Sequence, residues 1–245
     1  MPIASTDLVS YASANMPDTD SGTSGGAIDT LRRIDFTQLA ANDSLEAVST
    51  SASDTQNITI EARNAAGSVV SETKALNGTT VVSFSTLGTV ERVLKVELAS
   101  AAVGTITVRR ASSGPTVRQI PPGERGFMAF ARKIASDPSA AKDYYHKFFW
   151  KNTHASLSLL NAVVKQNADP DARITHALAT SVNDSGSVTN RTTSPGLTFD
   201  DNDKAVPGTD LAAGAAIGVW LKVSLPAGDS PHRTTYTSEL AGQTT

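Results

Sequence analysis

The sequence predicts a mainly β protein, built as two tandem β-sandwich domains of immunoglobulin-like type that follow an extended N-terminal arm. Three observations support this fold class. Residues 144–151 hold five of the chain's thirteen aromatic residues, and aromatic residues favour the pleated, half-buried surface of a strand. Ile58, Ile60 and Ala62 alternate with polar residues, which is the period of a strand. Short apolar runs recur between turn sequences at intervals of roughly 8–12 residues, as they do in β-sandwiches.

The division into domains follows from shifts in composition along the chain. We expect an extended arm over 1–30, a first sandwich over 31–110, a connector with a short helix over 111–143, and a second sandwich over 144–245. A chain of 245 residues is long enough for two domains of ordinary size.

Composition also limits the classes of protein to which the chain can belong. The net charge is −3 and charged residues make up 18%, so no basic field is present to attract nucleic acid. The chain has no cysteine, which excludes disulfides and cysteine-ligated metals. The sequence contains no apolar run of about 18 residues, so it predicts no membrane-spanning helix. The first residues lack the features of a secretory signal, so we expect synthesis in a cytosol without export by that route.

The predicted arm is polar and rich in Ser, Asp, Thr and Gly, and alone it cannot bury enough apolar surface to become ordered. It packs either on its own domain or across a neighbouring subunit. Its apolar anchors would be Ile3, Leu8, Val9, Tyr11 and Met16. As an assembly arm, it would be dispensable for folding, so that a chain beginning near Thr30 would fold but fail to join an assembly.

Turn sequences set the expected strand connections in the first sandwich and the connector. Asn77-Gly78 lies between apolar runs and predicts a hairpin with a type I′ turn. Prolines confine any strand near Val117–Ile120 to a short one. Asp137-Pro138 has the form of a helix N-cap followed by proline, which predicts one or two helical turns through Lys142. The connector also holds a basic cluster, either a solvated surface or a contact for an acidic neighbour: Arg118, Arg125, Arg132 and Lys133.

The aromatic run predicts the main hairpin of the second sandwich. Strands over 144–151 and 156–165 would be joined by the polar turn 152–154. Trp150 and Trp220 are expected to be buried together in one core, and the alternative is a ligand platform. Later strands are expected near Ile174–Val182, Ile217–Leu225 and Thr235–Leu240.

Several patterns have the form of catalytic or metal sites but lack the context that such sites need. Gly22–Gly26 matches the G-x-S-x-G nucleophile motif, yet it is not placed between a strand and a helix. The four histidines, His146, His154, His176 and His232, lack the helical pairing of zinc enzymes. We therefore interpret them as structural, and assign no catalytic, cofactor-binding or metal-binding residue.

The acidic stretch Asp200-Asp201-Asn202-Asp203 is the remaining candidate for a bound cation. Its oxygen-rich side chains suit calcium, but the glycine and distal glutamate of an EF-hand loop are missing. Clusters of Asp and Asn commonly form turns. Both alternatives stay open for Asp200, Asp201 and Asp203.

Several segments resemble structural proteins of tailed bacteriophage particles. The run Lys147–Leu159 (KFFWKNTHASLSL) is similar to a strand followed by the (K/R)NTH-(A/G)-(S/T)-L-(S/T)-L pattern of that family. Other segments similar to this family are Ala168–Asp171, Asn190–Phe199, Leu211–Gly214, Gly218–Leu221 and Leu225–Asp229. Ala65–Thr73 and Leu76–Thr80 resemble a second β-module of phage virion proteins.

The resemblance implies a function and a set of partners. It implies a non-enzymatic structural component of the virion, made in the bacterial host cytoplasm and assembled in multiple symmetric copies. The resemblance does not fix the position in the particle, and we favour the tail or neck over head decoration. Its partners would be other virion proteins and copies of itself, with no cofactor, nucleic acid or membrane. The alternative is a host-receptor or carbohydrate-binding β-sandwich of a phage fibre or baseplate. A hydrolase on a β-scaffold is disfavoured because no carboxylate pair is placed for acid–base catalysis.

Overall fold

The computed structural model describes residues 2–130, 132–168, 171–230 and 236–244. The protein is mainly β, with 50% of its residues in strands and no α-helix among the described residues. A 3₁₀ turn covers Ser5–Asp7. In the part of the chain that is described, no helix has the length and apolar character needed to span a membrane.

The strands are β1 (Leu8–Asn15), β2 (Ser24–Arg33), β3 (Leu45–Ser49), β4 (Asn57–Asn64), β5 (Val69–Ala75), β6 (Val82–Phe84), β7 (Val90–Leu98), β8 (Ile106–Arg110), β9 (Thr116–Ile120), β10 (Gly126–Met128), β11 (Lys142–Asn152), β12 (Leu160–Ala168), β13 (Ile174–Val182), β14 (Ser187–Val188), β15 (Lys204–Ala205), β16 (Ala216–Leu225) and β17 (Thr237–Gln243).

The chain forms two compact units, and one of them is discontinuous in sequence. The split unit comprises Met1–Asp29 and Ala131–Thr245, and the inserted unit comprises Thr30–Phe130. The predicted first sandwich and most of the predicted connector therefore belong to one unit. The predicted arm belongs to the other.

Strands of two sheets share one apolar core in the inserted unit. In the first sheet, the last residues of β2 pair in parallel with β10, and β10, β7, β4 and β5 follow one another in antiparallel pairs. The second sheet is antiparallel and has the order β6, β3, β8, β9. Ile60 of β4, Val96 of β7 and Val108 of β8 belong to the same buried cluster. The alternation predicted around Ile58, Ile60 and Ala62 is confirmed, because all three side chains are buried.

The predicted Asn77-Gly78 hairpin is wrong. Strand β5 pairs with β4, whereas β6 pairs with β3 in the other sheet. The turn instead packs on the 49–54 loop, where Gly78 N–H donates to the Asp54 carbonyl at 3.0 Å. A Cβ on Gly78 would lie 2.9 Å from the Ala52 Cα, so glycine is needed here for close backbone approach as well as for its positive φ of 55°.

The connector also differs from its prediction. A short strand at Val117–Ile120 is confirmed, since β9 pairs with β8, but β10 was not foreseen. The predicted helix near Asp137 is wrong. The Asp137 carboxylate accepts hydrogen bonds from the N–H and hydroxyl of Ser139 at 2.8 and 2.7 Å, which forms a local turn, and β11 begins directly afterwards.

In the split unit, residues 8–15 form an internal strand and not an extended arm. The first sheet has the order β13, β16, β11, β1, β2, with β14 paired to β2, and the second has the order β15, β12, β17. Strand β1 lies beside β11 with Tyr11 opposite Phe149. The polar residues of β1 had predicted an exposed arm, but serine is small enough to be buried in a sheet, and Ser10 and Ser13 are buried within the unit.

The predicted aromatic hairpin is also wrong. Strand β11 pairs with β1 and β16, whereas β12 pairs with β15 and β17 in the second sheet. Residues 152–159 therefore carry the chain from one sheet to the other. Strands β13 and β16 confirm two of the later predictions, and β17 overlaps the third, although its predicted first residue, Thr235, lies outside the described residues.

The two tryptophans lie on opposite faces of the first sheet. Trp220 is directly opposite Lys147, so the two share a face, whereas Trp150 is three residues from Lys147 and points the other way. Trp220 is buried, as predicted. Trp150 is half-buried and its indole N–H donates to the Ser238 hydroxyl of β17 at 2.9 Å. A single core around both side chains is therefore wrong.

Candidate functional site

The 152–159 connection between the two sheets of the split unit is organised by Asn152. This side chain is fully buried, and its Nδ2 donates to the carbonyls of Leu157 at 2.9 Å and Leu211 at 3.0 Å. Its Oδ1 accepts the N–H of His154 at 3.0 Å. All three of these hydrogen bonds join the Asn152 side chain to backbone groups. A buried amide satisfied in this way fixes the path of a loop.

The two residues after Asn152 complete the connection. His154 Nδ1 accepts the N–H groups of Ser156 and Leu157 at 3.2 and 3.0 Å. Thr153 donates its N–H and hydroxyl to the Asp7 carbonyl at 2.7 and 2.9 Å. The Asn-Thr-His triplet is therefore a hydrogen-bonded connection and gives no sign of a ligand-binding role.

A lysine lies at the centre of the first sheet of the split unit. The Lys147 side chain has no exposed surface. Its Nζ donates to the carbonyls of Gly26 at 3.1 Å and Gly186 at 3.2 Å, and it forms an ion pair with the Asp184 carboxylate. Burial lowers the pKa of Lys147, and the hydrogen bond to Asp184 opposes that shift. The ammonium joins β11, β2 and the 184–186 turn.

Aromatic rings and glycines form the remainder of the lysine's surroundings. Nζ lies 4.7 Å from the ring centroid of Phe149 and 5.6 Å from that of Trp220, within the range of cation–π attraction. A Cβ on Gly218 would lie 2.5 Å from the lysine Cε, and one on Gly25 would lie 2.6 Å from the Trp220 ring. Glycine at these two positions leaves room for the large side chains.

The G-x-S-x-G match has a packing role in this centre. Ser24 lies in β2, is fully buried, and donates its hydroxyl to the Tyr145 carbonyl at 2.7 Å. The geometry of an exposed nucleophile at a strand-to-helix turn is absent at this serine.

Arg191 is a second buried cation in the split unit, and it was not singled out from the sequence as a site. It is 2% exposed and lies 4.9 Å from the ring centroid of Tyr144. Its guanidinium donates to the Asp20 carboxylate at 2.8 Å and to the carbonyls of Pro17 and Lys133 at 3.2 and 2.9 Å. The planar donors of arginine suit a junction of several loops. The sequence pointed to Arg191 only in that it lies within Asn190–Phe199, one of the segments that resemble phage structural proteins.

Two of the four histidines are buried beside the same leucine. His146 of β11 and His176 of β13 both stand opposite Leu221 of β16, so the three side chains share one face. His154 belongs to the 152–159 connection, and His232 lies outside the described residues. His146 and His154 do not face each other across a hairpin, because β11 pairs with β1 and β16 and not with β12.

The acidic stretch forms a turn that ion pairs stabilise. Asp200 accepts the N–H of Asn202 at 2.8 Å and pairs with Lys204 at 2.7 Å. Asp203 pairs with Lys165 at 3.6 Å. Among the described residues, no group of three or more His, Cys, Asp or Glu side chains is arranged to hold a metal ion. These contacts favour the turn interpretation of Asp200, Asp201 and Asp203.

The predicted basic cluster is divided between the two units. Each member has an acidic partner within its own unit: Arg118 with Asp35 (2.6 Å), Arg125 with Glu97 (3.8 Å), Arg132 with Asp18 (2.9 Å) and Lys133 with Asp18 (3.6 Å). The positive charge of each side chain is therefore balanced within its own unit.

The inserted unit has an open groove beside the edge strand β9. Its volume is about 770 Å³, and it is lined by Asp35, Phe36, Thr37, Thr116, Val117, Arg118 and Gln119. Thr37 N–H donates to the Val117 carbonyl at 3.0 Å, so the 35–37 segment already occupies part of the strand edge. The two charges in the groove, Asp35 and Arg118, neutralise each other.

Comparison of the chain with protein-family models, with curated proteins and with solved structures gives no match. The protein's buried polar side chains, of which Asn152, Lys147 and Arg191 are the clearest, bind the chain's own carbonyl and carboxylate groups.

Proposed function

We propose that the chain is a non-enzymatic structural component of a tailed bacteriophage particle, assembled in multiple symmetric copies. It is made in the host cytoplasm and contacts other virion proteins and copies of itself. The tail and neck are the first locations to examine, ahead of head decoration. The two units would act as tandem immunoglobulin-like sandwiches, a proposal supported by the finding that the strands of each unit belong to two sheets.

The 152–159 connection carries this proposal. The segment that resembles phage structural proteins is the one in which Asn152, Thr153 and His154 each form specific backbone hydrogen bonds. The likeness therefore concerns residues that determine a particular folded connection. A chance similarity of composition would not require these polar side chains at these positions.

The distribution of side chains adds support. Two large cationic side chains of the split unit, Lys147 and Arg191, are buried and bind groups of the same unit. The exposed large apolar side chains lie on or near strand ends of the inserted unit, for example Val69 at 49% and Val81 at 41% exposure. Exposed apolar residues at strand edges suit contacts between copies. The receptor- or carbohydrate-binding alternative would need exposed aromatic rings, and no described aromatic is fully exposed.

The test is the location of the chain in intact particles. Antibodies raised against the purified protein should label phage particles released by the bacterium that carries the gene, at positions repeated with the particle's symmetry. Peptides of the chain should be recovered from gradient-purified particles. Absence from purified particles, together with glycan-array binding by the isolated protein, would overturn the proposal in favour of the carbohydrate-binding alternative.

A variant connects this test to the structural argument. Asn152→Ala removes the hydrogen bonds that fix the 152–159 connection, and it should reduce incorporation into particles. Thr180→Ala is a suitable control because Thr180 is an exposed residue within strand β13. Equal incorporation of the two variants would show that the connection has no part in assembly.

A further inference from the structure

Two histidines, His146 and His176, are buried in the interior of the split unit. All four histidines of the chain belong to this unit, and the inserted unit, Thr30–Phe130, contains none. His146 and His176 stand on either side of Leu221 across three neighbouring strands. Trp150 shares their face and bonds Ser238 of β17, so the two imidazoles point toward the second sheet of the unit.

Both imidazoles are buried, and their neighbours differ. His146 is 1% exposed, and the charged groups around it are Arg191, Arg132 and Asp18. Two of these three groups are cations, so Arg132 and Arg191 oppose the positive charge that protonation would place on His146.

His176 is fully buried, and neither of its ring nitrogens has a hydrogen-bond partner among the described residues. The charged groups around it are Lys204 of β15 and the carboxylates of Asp200, Asp201 and Asp203. Asp200 is already held by Lys204 at 2.7 Å. An imidazolium formed at His176 would therefore be a buried cation without an acceptor, which is strongly unfavourable.

We propose that the split unit is an acid-sensitive module: protonation of His146 and His176 between about pH 6.5 and pH 4.5 opens this unit while the inserted unit stays folded.

The sign of the effect follows from the two protonation equilibria. Burial, with Arg191 and Arg132 nearby, lowers the pKa of His146 to about 3, and burial also lowers the pKa of His176. In the unfolded chain both groups titrate near about 6.5. Between these values the unfolded state binds more protons, so stability is present above about pH 6.5 and falls as the pH falls. Carboxylates titrate mainly below this window, and the inserted unit has no histidine to respond within it.

The two tryptophans make the split unit separately observable. Trp150 and Trp220 are the chain's only tryptophans and both belong to this unit. Urea unfolding of the full chain, followed by tryptophan emission at pH 7, 6, 5 and 4.5, should show an unfolding constant that rises by up to about tenfold per pH unit for each buried histidine. Amide exchange in β4 and β7, corrected for intrinsic rates, should report unchanged protection of the inserted unit.

The variant pair His146→Phe with His176→Leu replaces both titrating rings by apolar side chains of similar size. It should flatten the pH dependence between pH 6.5 and 4.5. Thr180→Ala, at an exposed position of the same strand as His176, is the control and should leave the slope as it is in the unaltered protein. Equal slopes in the double variant and the unaltered protein would overturn the proposal, as would loss of protection in β4 and β7 over the same pH range.

If the double variant does not fold, the proton equilibria can be measured directly. NMR titration of the imidazole C–H resonances in the unaltered chain should show no titration of His146 or His176 while the unit remains folded. A titration of either ring near pH 6.5 in the folded protein would overturn the proposal.

Discussion

The two units differ in what their interiors are made of. The core of the inserted unit is a continuous apolar cluster to which both of its sheets contribute, with Phe84, Ile60 and Val108 fully buried. The interior of the split unit also contains Lys147 and Arg191, at 0% and 2% exposure. An apolar core tolerates exchange of one hydrocarbon side chain for another of similar volume. A buried charged group has one set of partners, and its removal leaves them unsatisfied. The apolar cluster of the inserted unit should therefore tolerate substitution better than the positions that hold a buried charge, such as Lys147 and Arg191 in the split unit and Asp54 in the inserted unit.

The largest expected effect tests whether the first 29 residues are part of the split unit. Removing them deletes β1, which pairs with β11, together with the Gly26 carbonyl bound by Lys147. We expect the chain that begins at Thr30 to retain a folded inserted unit and to lose the split unit, contrary to the expectation from composition. Tryptophan emission should shift to the wavelength of exposed indole, and near-ultraviolet circular dichroism should be lost.

The isolated inserted unit, residues 30–130, is the control for that deletion. Its amide spectrum should overlay on the well-dispersed resonances of the truncated chain. A truncated chain with native tryptophan emission would contradict the structural role of β1 and restore the assembly-arm interpretation.

The next effect concerns the buried lysine. Lys147→Met should destabilise the split unit by about 3–5 kcal/mol, because the Asp184 carboxylate loses its partner. The measurement is the urea midpoint followed by tryptophan emission. Lys151→Met, on the same strand but only half-buried, is the control and should change stability by less than about 1 kcal/mol. Similar losses for the two variants would show that Lys147 contributes no more than a surface lysine.

The tryptophans test the two faces of the same sheet. Trp220→Ala should cost about 3–5 kcal/mol because the side chain is buried against Tyr145 and Val188. Trp150→Ala should cost less, since its ring is half-buried. Thermal unfolding monitored by far-ultraviolet circular dichroism compares them without relying on tryptophan emission. An equal cost for both would contradict their placement on opposite faces.

The smallest effect concerns Asp54, a buried carboxylate of the inserted unit. It accepts hydrogen bonds from the Ser49 hydroxyl at 2.5 Å and from the N–H groups of Val103 and Gly104 at 2.8 Å each. Burial tends to raise the pKa of Asp54, but these hydrogen bonds outweigh it and the pKa is lowered. Its contribution is therefore present above the unfolded value of about 3.9 and is lost as the pH falls through the lower folded value.

Asp54→Asn tests this carboxylate by replacing one accepting oxygen with a donor. It should cost about 1–3 kcal/mol at pH 7, and less below pH 3. Amide exchange in β4 provides the measurement. Asp35→Asn, whose side chain is 53% exposed, is the control. A cost that is independent of pH would contradict the role of the ionised carboxylate.

The sequence was informative where local pattern and burial coincide. Ile58, Ile60 and Ala62 lie in one strand at the period of the sheet, so the core face of β4 could be predicted without knowing its neighbours. The burial of Trp220 followed from the apolar alternation of its strand in the same way.

Connections between distant segments could not be predicted in this way. Asn77-Gly78 satisfies the rule for a hairpin, but the preceding strand continues in one sheet and the following strand joins the other. Lys147 depends on Gly26 and Asp184, which are 121 and 37 residues away, and no local pattern identifies them. The serines of β1 were counted as polar although a neighbouring strand buries them.

The discontinuity of the split unit has a consequence for synthesis on the ribosome. Asp7 accepts hydrogen bonds from Thr153, which follows it by 146 residues. At an elongation rate of about 5–20 residues per second, the first strand emerges roughly 7–30 seconds before the strand beside which it lies. The inserted unit is complete during that interval and can fold first, whereas β1 can pair only with β2 and keeps its other edge open. The two serines and the asparagine of β1 make that open edge more polar until β11 is synthesised.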